Sequence, residues 1–306
     1  MSEPIAYLNG AMVAITEAKL SVFDMGILQA ATVTEMVRTF RLKPYRLSNH
    51  IDRLFRSIKA VGFDVELSPD ELSGIVDGVV QHNAALVDAQ LDLGISMFVT
   101  AGLGANAPGS SVQTGPTICV HTYPLPFSNW ANLYDSGQNL VTPSIRHIPA
   151  DCIDPKIKTR SRLHWYLADR QARIVDTTAR SVLLDHAGNI TETSTGNFFA
   201  VIDGEIVTPS QRTTLGGVSQ IVVGELANRL NISFKHADIQ TYDAINAEEL
   251  FTTSTPYCIL PVTRFNGQSV ADRQPGPVFQ RLLASWNDEV GLDIMEQMKI
   301  GTQISK

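Results

Sequence analysis

The chain has 306 residues, of which 44% are hydrophobic and 18% are charged, and its formal net charge is −7. A chain of this length can bury a large core and is expected to form two domains, and its composition is that of an ordinary globular protein. The acidic net charge and the lack of a basic cluster argue against nucleic acid or an anionic membrane as a partner. No apolar run approaches the roughly 18 residues of a membrane span.

The cysteines and the first residues bear on location. Cys119, Cys152 and Cys258 are odd in number, widely spaced and without a Cys-x-x-Cys pair. This pattern favours a reducing compartment and argues against a zinc site. The first residues show no basic-then-apolar leader. A cytoplasmic protein without a metal site is therefore expected.

The first part of the chain predicts alternating strands and helices. Asn9-Gly10 between two short apolar runs predicts a tight hairpin. A helix is predicted from Leu47 to Phe63, with Ser48 as its cap. Ser68-Pro69-Asp70-Glu71 forms a capping box that begins a second helix. Two buried strands follow, over residues 94–100 and 117–122, joined by a loop of small residues at 101–109.

Residues 124–129 have the composition of a linker. They predict a small N-terminal α/β domain over residues 1–124, a linker over 125–130 and a larger domain over 131–306. The last helix is predicted to begin at Gly276-Pro277, and residues from about 292 are expected to form a loose tail.

The stretch from Lys156 to Phe199 carries the candidates for chemistry. A lysine ends one apolar run, a helix is predicted over 163–175, and Glu192 follows a predicted strand. A desolvated lysine amine loses its proton easily and attacks carbonyls, and a carboxylate can hold a proton on a ring nitrogen. Pyridoxal phosphate chemistry requires this pair. Strand alternation does not choose between Lys156 and Lys158, because residues two apart face the same way.

Four motifs in this stretch resemble the core of the class IV aminotransferases, pyridoxal phosphate enzymes of fold type IV. They are Ile157-Lys158-Thr159, Leu167-Ala168-Asp169-Arg170-Gln171-Ala172, Gly188-Asn189-Ile190-Thr191-Glu192 and Ser194-Thr195-Gly196-Asn197-Phe198-Phe199. The resemblance implies an α/β fold with a smaller N-terminal domain, a larger domain with a β-barrel-like core, and a homodimer. It also implies that Lys158 forms the Schiff base with pyridoxal 5'-phosphate and that Glu192 faces the ring nitrogen.

Further motifs extend the resemblance along nearly the whole chain and imply the remaining cofactor ligands. His50-x-x-Arg53-Leu54 matches a motif whose arginine binds the cofactor phosphate, and a forked guanidinium suits a phosphate dianion. The run 215–220 begins a helix whose free N–H groups form a phosphate cradle. In the family pattern Leu215 packs on the ring. The other implied phosphate ligands are Val218, Ser219 and Thr255, and Gly217 and Ser254 beside them are also implied to bind the cofactor.

Two departures from the family pattern concern the substrate. Thr34 stands where relatives carry an aromatic residue that lines the substrate pocket. Loop 101–109 has no arginine, whereas D-amino acid aminotransferases bind the substrate carboxylate with arginines there. Arg160 and Arg162 lie near a predicted helix start, which attracts anions, so they are candidates to bind a substrate carboxylate, with Arg162 preferred. The alternative is a surface pair bound to Asp169 or Asp176.

The predicted function is transfer of an amino group from a branched-chain or other hydrophobic amino acid to a 2-oxo acid. A pyridoxal phosphate lyase resembling aminodeoxychorismate lyase shares every cofactor residue and remains an alternative. A D-amino acid or (R)-amine transaminase is another. The motif at 30–35, Ala30-Ala31-Thr32-Val33-Thr34-Glu35, lacks the glycines and the aromatic residue of the family pattern Gly-Asp-Gly-Val-Phe/Tyr-Glu. This altered motif also allows a weakly catalytic cofactor-binding protein, but retention of both Lys158 and Glu192 counts against it.

Overall fold

The computed structural model describes residues 3–104 and 115–304, so residues 105–109 of the predicted small-residue loop lie outside the described residues. Contacts divide the chain into two compact units. The N-terminal unit comprises Met1–Leu125 and Ile157–Ser161, and the C-terminal unit comprises Pro126–Lys156 and Arg162–Lys306. Within the described parts of the chain, every helix is too short or too polar to cross a membrane.

The N-terminal unit is a six-stranded sheet with two long helices. Its elements are β1 Ile5–Leu8, β2 Ala11–Ala14, α1 Met25–Leu28, β3 Thr32–Phe40, β4 Lys43–Pro44, α2 Leu47–Val61, α3 Pro69–Ala84, β5 Leu93–Thr100 and β6 Thr117–Pro124. The strand order is β2-β1-β6-β5-β3-β4, and each neighbouring pair is antiparallel. One face of the sheet packs on α2 and α3 through a buried cluster that includes Val33, Val37, Leu54, Val76 and Val120.

The predicted turn and capping box of this unit are confirmed. Asn9 and Gly10 have φ angles of 47° and 92°, as a tight hairpin turn requires. The backbone N–H of Glu71 donates to the Ser68 hydroxyl, and the Glu71 carboxylate accepts from the Ser68 N–H in return. The capping role expected for Ser48 is wrong. The helix already begins at Leu47, after Arg46 in a left-handed conformation, and no side chain caps it.

The C-terminal unit contains more elements. They are α4 Leu133–Ser136, β7 Gln138–Val141, α5 Leu163–Val175, β8 Arg180–Leu184, β9 Ile190–Thr193, β10 Asn197–Ile202, β11 Glu205–Thr208, α6 Val218–Arg229, β12 Phe234–His236, α7 Thr241–Asn246, β13 Glu249–Ser254, β14 Cys258–Phe265, β15 Gln268–Ser269, α8 Pro277–Val290 and α9 Ile294–Ile304. Helix α5 has the predicted bounds.

Six strands of this unit close into a barrel, as expected for the larger domain. The ring runs β10-β13-β14-β7-β8-β9 and returns to β10 through the pairing of Asn197 with Glu192. Strands β11, β12 and β15 extend the sheet outside the ring. A buried cluster that includes Val182, Phe198, Leu250, Val262 and Phe265 packs with α7. Glu192 therefore lies at the point where the barrel closes.

The expected loose tail after residue 292 is wrong, because a helix, α9, occupies it. Gly291 ends α8 in a left-handed conformation with φ 69°. Asp293 then accepts from the N–H of Glu296 and begins the new helix. Met298 is fully buried, and a Cβ on Gly301 would lie 2.1 Å from the Phe127 ring, so this helix packs closely on the body of the C-terminal unit.

Candidate functional site

Lys158 is held in a short strand-like segment on the edge of the N-terminal sheet. The N–H of Thr34 donates to the Lys158 carbonyl at 2.9 Å, and the N–H of Arg160 donates to the Thr32 carbonyl at 3.0 Å. The Lys158 N–H donates to the Ser57 hydroxyl at 3.3 Å. The lysine is half-buried, whereas the side chain of Lys156 is 57% exposed and pairs with Asp154. Burial therefore favours Lys158 over Lys156 as the reactive lysine.

Arg53 is buried and paired with a buried carboxylate of the same unit. Its Nε donates to Glu35 Oε1 at 2.6 Å and its Nη2 donates to Glu35 Oε2 at 2.8 Å. His50 Nδ1 lies 2.8 Å from the same Oε2. The Glu35 carboxylate thus fixes the orientation of the guanidinium that the family pattern assigns to the cofactor phosphate.

The charges of this cluster follow from burial and pairing. Burial alone raises the pKa of Glu35, but the charge and hydrogen bonds of Arg53, with a hydrogen bond from His50, hold that pKa far below its usual range. Burial lowers the pKa of His50, and its contact with Glu35 opposes that shift without reversing it. The cluster is therefore a buried carboxylate and guanidinium with a neutral imidazole near pH 7.

Thr34 and Arg160 meet on the sheet face that points away from α2 and α3. Arg160 Nε donates to the Thr34 hydroxyl at 3.2 Å, and Arg160 Nη2 donates to the Ser96 hydroxyl at 2.8 Å. Thr34 in turn donates its hydroxyl proton to the Met97 carbonyl at 2.9 Å. Thr34, which the sequence places at a substrate-lining position, therefore supports an arginine side chain.

In the C-terminal unit, Glu192 is held by its neighbours across the closure of the barrel. Its Oε2 accepts from the Leu215 N–H at 3.2 Å and lies 3.5 Å from Asn197 Nδ2. Asn197 Nδ2 also donates to the Leu215 carbonyl at 2.8 Å. Both the N–H and the carbonyl of Leu215 are thus hydrogen-bonded to side chains at the closure of the barrel. The structure brings together Glu192 and Leu215, as the family pattern implies.

A cluster of rings lies beside Glu192. His147 Nε2 is 3.6 Å from Glu192 Oε1, which is an ion pair when the imidazole is protonated. Burial lowers the pKa of His147, but the hydrogen bond and charge of Glu192 outweigh burial and raise that pKa above the ordinary value. The rings of His164 and Trp165 pack edge-on against His147. Burial and the neighbouring cations lower the pKa of His164 to about 4, so its ring is neutral near pH 7.

Arg162 lies at the start of α5, and its guanidinium is 5.9 Å from the Trp165 ring. The carboxylates that were alternative partners for the arginines are engaged elsewhere. Asp169 accepts from the Ser181 hydroxyl at 2.6 Å, and Asp176 pairs with Arg264 at 3.0 Å. Neither forms an ion pair with Arg160 among the contacts that the described residues make.

The residues of the C-terminal unit that the family pattern assigns to the cofactor phosphate lie at the start of α6 and at the end of β13. Gly217 caps this helix without a side-chain hydrogen bond, so the N–H groups of its first turn, including those of Val218 and Ser219, are directed beyond the helix end. A Cβ on Gly217 would lie 2.0 Å from Asn197 Oδ1, so only glycine allows this approach. The Ser254 hydroxyl donates to the Thr195 carbonyl at 2.5 Å, and Thr255 follows, half-buried.

These residues fit a phosphorylated pyridine. The helix start offers backbone donors and the positive end of a helix dipole to a phosphate. Thr253, Asn197 and Glu192 pair across adjacent strands and therefore share one face of the barrel wall. The buried hydroxyl of Thr253 has no hydrogen-bond partner among the described residues. An oriented carboxylate and an unsatisfied polar atom on one face match the needs of a polar ring bound there.

Several residues of the site had no role assigned from sequence. Asn197 lies within a quoted motif, and its contacts with Glu192 and Leu215 explain why an amide is needed there. Glu35 is retained in the altered motif at 30–35, and pairing with Arg53 explains it. His147 stood in an uninformative stretch, and sequence spacing gives no signal for its contact with Glu192.

Comparison with known proteins assigns a family. The sequence model of the family Amino-transferase class IV matches residues 32–265. A protein of Methanocaldococcus jannaschii, provisionally named a branched-chain-amino-acid aminotransferase, is 31% identical over 92% of this chain and 95% of its own. The D-alanine aminotransferase of Staphylococcus aureus strain MSSA476 is 29% identical over 90% of this chain and 94% of its own.

The fold is also that of solved structures. The crystal structure of the T.th. branched-chain amino acid aminotransferase, complexed with N-(5'-phosphopyridoxyl)-L-glutamate, superposes with a TM-score of 0.84 at 24% identity. The match covers 94% of this chain and 95% of that one. The two-part α/β architecture with a closed barrel is thus the architecture of this group of enzymes.

Proposed function

Because the chain belongs to the amino-transferase class IV family, we propose that this aminotransferase uses pyridoxal 5'-phosphate bound through Lys158 and acts on branched-chain or other hydrophobic amino acids, with a 2-oxo acid as acceptor. The observation that carries the proposal is the Glu192 carboxylate, which the Leu215 N–H and Asn197 orient beside the glycine-led start of α6. The T.th. enzyme, whose fold this chain shares, was solved with a phosphopyridoxyl compound.

The residues of the C-terminal unit would hold the ring and part of the phosphate. Glu192 keeps a proton on the ring nitrogen, since a carboxylate beside a pyridinium favours its charged form. Leu215 packs on the ring, and the first-turn N–H groups of α6 bind phosphate oxygens. The implied phosphate ligands of this unit are Val218, Ser219 and Thr255, with Gly217 and Ser254 as further cofactor-binding residues.

The residues of the N-terminal unit would supply the reactive amine and a phosphate cation. The cofactor, when bound, supplies an aldehyde carbon that joins to amines and a pyridinium ring that accepts electrons from the substrate. Nζ of Lys158 would hold the cofactor and, once freed by an amino substrate, would serve as the base that moves the proton of the substrate α-carbon. The Arg53 guanidinium, oriented by Glu35, binds the phosphate dianion.

The substrate class follows from the relatives and from one departure in sequence. The M. jannaschii relative carries a branched-chain name, and the S. aureus relative acts on D-alanine by name. The segment 101–116 contains no arginine, the residue type with which D-amino acid aminotransferases bind the substrate carboxylate in this region. We therefore favour the branched-chain class over the D-amino acid class. A homodimer located in the cytoplasm completes the proposal by analogy with the family.

The test is the visible spectrum of the purified protein, followed by addition of single amino donors. A cofactor absorption band that bleaches with one hydrophobic L-amino acid, and returns with a 2-oxo acid, is the expected result. Bleaching of the band by D-alanine alone would show that the substrates are D-amino acids. A band that no donor bleaches would favour the lyase, which pyruvate release from a chorismate-derived substrate would establish. No band after addition of the cofactor would refute the proposal.

A further inference from the structure

Arg160 lies two residues beyond Lys158, and the proposed mechanism does not use its charge. Its Nε and Nη2 donate to the hydroxyls of Thr34 and Ser96 at 3.2 and 2.8 Å, and its guanidinium carbon lies 5.6 Å from the centre of the Phe98 ring. These bonds fix the plane of the guanidinium. They use only part of its donors, since a guanidinium carries further N–H groups on Nη1 and Nη2.

The partners of Arg160 are all neutral. No carboxylate in residues 3–104 or 115–304 forms an ion pair with it, and the segment 105–114 contains no aspartate or glutamate. Although the residue as a whole is exposed, burial of its guanidinium lowers the pKa of Arg160 below the ordinary value. A partly desolvated cation with only hydroxyl partners is stabilised strongly by an anion, because charge-assisted hydrogen bonds are about twice as strong as neutral ones.

The other groups on this face are neutral as well. The strand register places Cys119 opposite Phe98, and His121 opposite Ser96, so all four side chains share the face. Burial raises the pKa of the Cys119 thiol to about 11. Burial, together with the charge of Arg160, lowers the pKa of His121. Near pH 7 the groups of β5 and β6 around Arg160 are therefore neutral hydrogen-bonding and aromatic groups, which leave the Arg160 charge available to a carboxylate.

The segment that carries Lys158 also sets the direction of Arg160. Val33 and Thr159 pair in an antiparallel bridge, so their side chains lie on the same face of the sheet. Lys158 and Arg160, the neighbours of Thr159, point to the other face, which also carries the Thr34 side chain. Lys158 and Arg160 are therefore on the same side of the sheet. We propose that Arg160, held by the hydroxyls of Thr34 and Ser96, binds a carboxylate of the amino acid or 2-oxo acid substrate.

The proposal accounts for a departure from the family pattern. Relatives carry an aromatic residue where this chain has Thr34, and its bulky ring does not place a small hydroxyl beside the sheet as an acceptor for Arg160 Nε. The threonine hydroxyl accepts a hydrogen bond from Arg160 Nε. Arg162, the arginine preferred from sequence, lies instead at the start of α5 and over the Trp165 ring. The geometry thus assigns the carboxylate to Arg160 and not to Arg162, a role that rests on the proposed function.

The test measures carboxylate binding without turnover. Wild-type protein and the variants Arg160→Gln, Arg160→Lys and Arg162→Gln are titrated by calorimetry with 4-methylpentanoate and with glutarate, which carry no amine. Arg56→Gln, an exposed arginine of α2, is the matched control. We expect Arg160→Gln to weaken binding by about 10- to 100-fold and Arg160→Lys to weaken it less, since lysine keeps the charge but loses the fork. Arg162→Gln and Arg56→Gln should bind as the wild type does.

The two probes locate the carboxylate on the substrate. If Arg160 binds the carboxylate next to the reacting carbon, both probes lose affinity; if it binds a side-chain carboxylate, only glutarate does. Equal affinities in wild type and Arg160→Gln, a loss confined to Arg162→Gln, or no binding of either probe to the wild type would overturn the proposal. A circular dichroism melt excludes a folding defect, and Arg160→Lys serves in its place if Arg160→Gln unfolds.

The reaction with an amine separates this proposal from the proposed function. The half-reaction with 3-methylbutylamine, which is leucine without its carboxylate, should proceed at the same slow rate in wild type and Arg160→Gln, whereas the half-reaction with leucine should slow in the variant. Equal slowing with both donors would show that Arg160 does not bind the substrate carboxylate. If the wild type has no cofactor band at all, the proposed function fails, while the calorimetric result still decides whether Arg160 binds a carboxylate.

Discussion

Arg53 and Glu35 form a two-point hydrogen-bonded ion pair, with bonds of 2.6 and 2.8 Å, between helix α2 and strand β3. Glu35 is fully buried and the side chain of Arg53 is 7% exposed. A buried pair of this kind is costly to break on one side, because the remaining charge keeps its desolvation without its partner. The pair therefore has two roles: it orients Arg53, a proposed phosphate ligand, and it contributes to the stability of the N-terminal unit.

Glu35→Gln should destabilise the protein by about 3 kcal/mol, since glutamine keeps the size of the side chain but removes the buried negative charge that Arg53 binds at two points. Urea unfolding of the protein measures this loss. Glu17→Gln is the matched control, because Glu17 pairs with Lys19 in solvent and such pairs contribute about 1 kcal/mol or less. A loss for Glu35→Gln no larger than that of the control would contradict a structural role for the pair.

The same variant gives a pH dependence with a definite sign. The pKa of Glu35 is held far below its ordinary value of 4.5, so the stabilisation is fully present above that pH and is lost as the pH falls towards the folded-state pKa. The difference in unfolding free energy between wild type and Glu35→Gln should be constant from neutral pH down to about 5 and should shrink in more acid solution. A difference that grows on acidification would contradict the assignment.

Lys158→Ala should abolish transfer of the amino group, since it removes both the attachment amine and the group that moves the proton. Stopped-flow spectra with leucine, followed over a single half-reaction, measure the loss, which we expect to be at least about 1,000-fold. Lys156→Ala is the matched control, because that lysine is exposed and pairs with Asp154. A half-reaction at the wild-type rate in Lys158→Ala would show that another group moves the proton.

Gly217→Ala should weaken cofactor binding, because the new Cβ would lie 2.0 Å from Asn197 Oδ1 and would displace the amide that holds Leu215. Gly216→Ala is the control at the adjacent residue, where a Cβ meets nothing within 4 Å. Fluorescence titration of the cofactor-free proteins gives the two dissociation constants. We expect a rise of about 10-fold or more for Gly217→Ala only. Equal affinities would show that the approach of Asn197 is not needed.

Much of the fold was predictable because its signals are local. The Asn9-Gly10 turn, the Ser68 capping box and helix α5 each depend on residues close together in sequence. Helix α9 was missed because its first turn, Asp293 to Glu296, gives a weak signal, and its packing on Phe127 depends on a residue far away in the chain. The cap expected at Ser48 is wrong because the helix begins one residue earlier, after Arg46 in a left-handed conformation. An arginine in a sequence gives no signal for that conformation.

The site residues, too, fall into those that local motifs locate and those that only the fold brings together. The family motifs located Lys158, Glu192 and Leu215, and their roles remain predictions that the contacts of each support. The partners that orient them come from other strands. Arg160 is the instructive case, since its two hydroxyl partners lie 126 and 64 residues away in sequence. No spacing rule links residues so far apart.

The ion pair of His147 with Glu192 leads to the last prediction. The hydrogen bond and charge of Glu192 raise the pKa of His147 above its ordinary value of 6.5. A histidine with a raised pKa stabilises the folded state below the unfolded value, and this contribution is lost as the pH rises through the folded value. In cofactor-free protein, wild type should therefore exceed His147→Gln in unfolding free energy most clearly near pH 5.5 to 6, roughly, and least above about pH 9.

Urea unfolding at several pH values measures that difference. His236→Gln is the matched control, because the His236 ring is exposed and its Nδ1 contacts the Pro209 carbonyl instead of a carboxylate. The control should lose little stability at any pH. A difference between wild type and His147→Gln that stays constant with pH would mean that His147 supports Glu192 as a neutral ring. One that grows with pH would mean that burial, which lowers the pKa, outweighs the carboxylate.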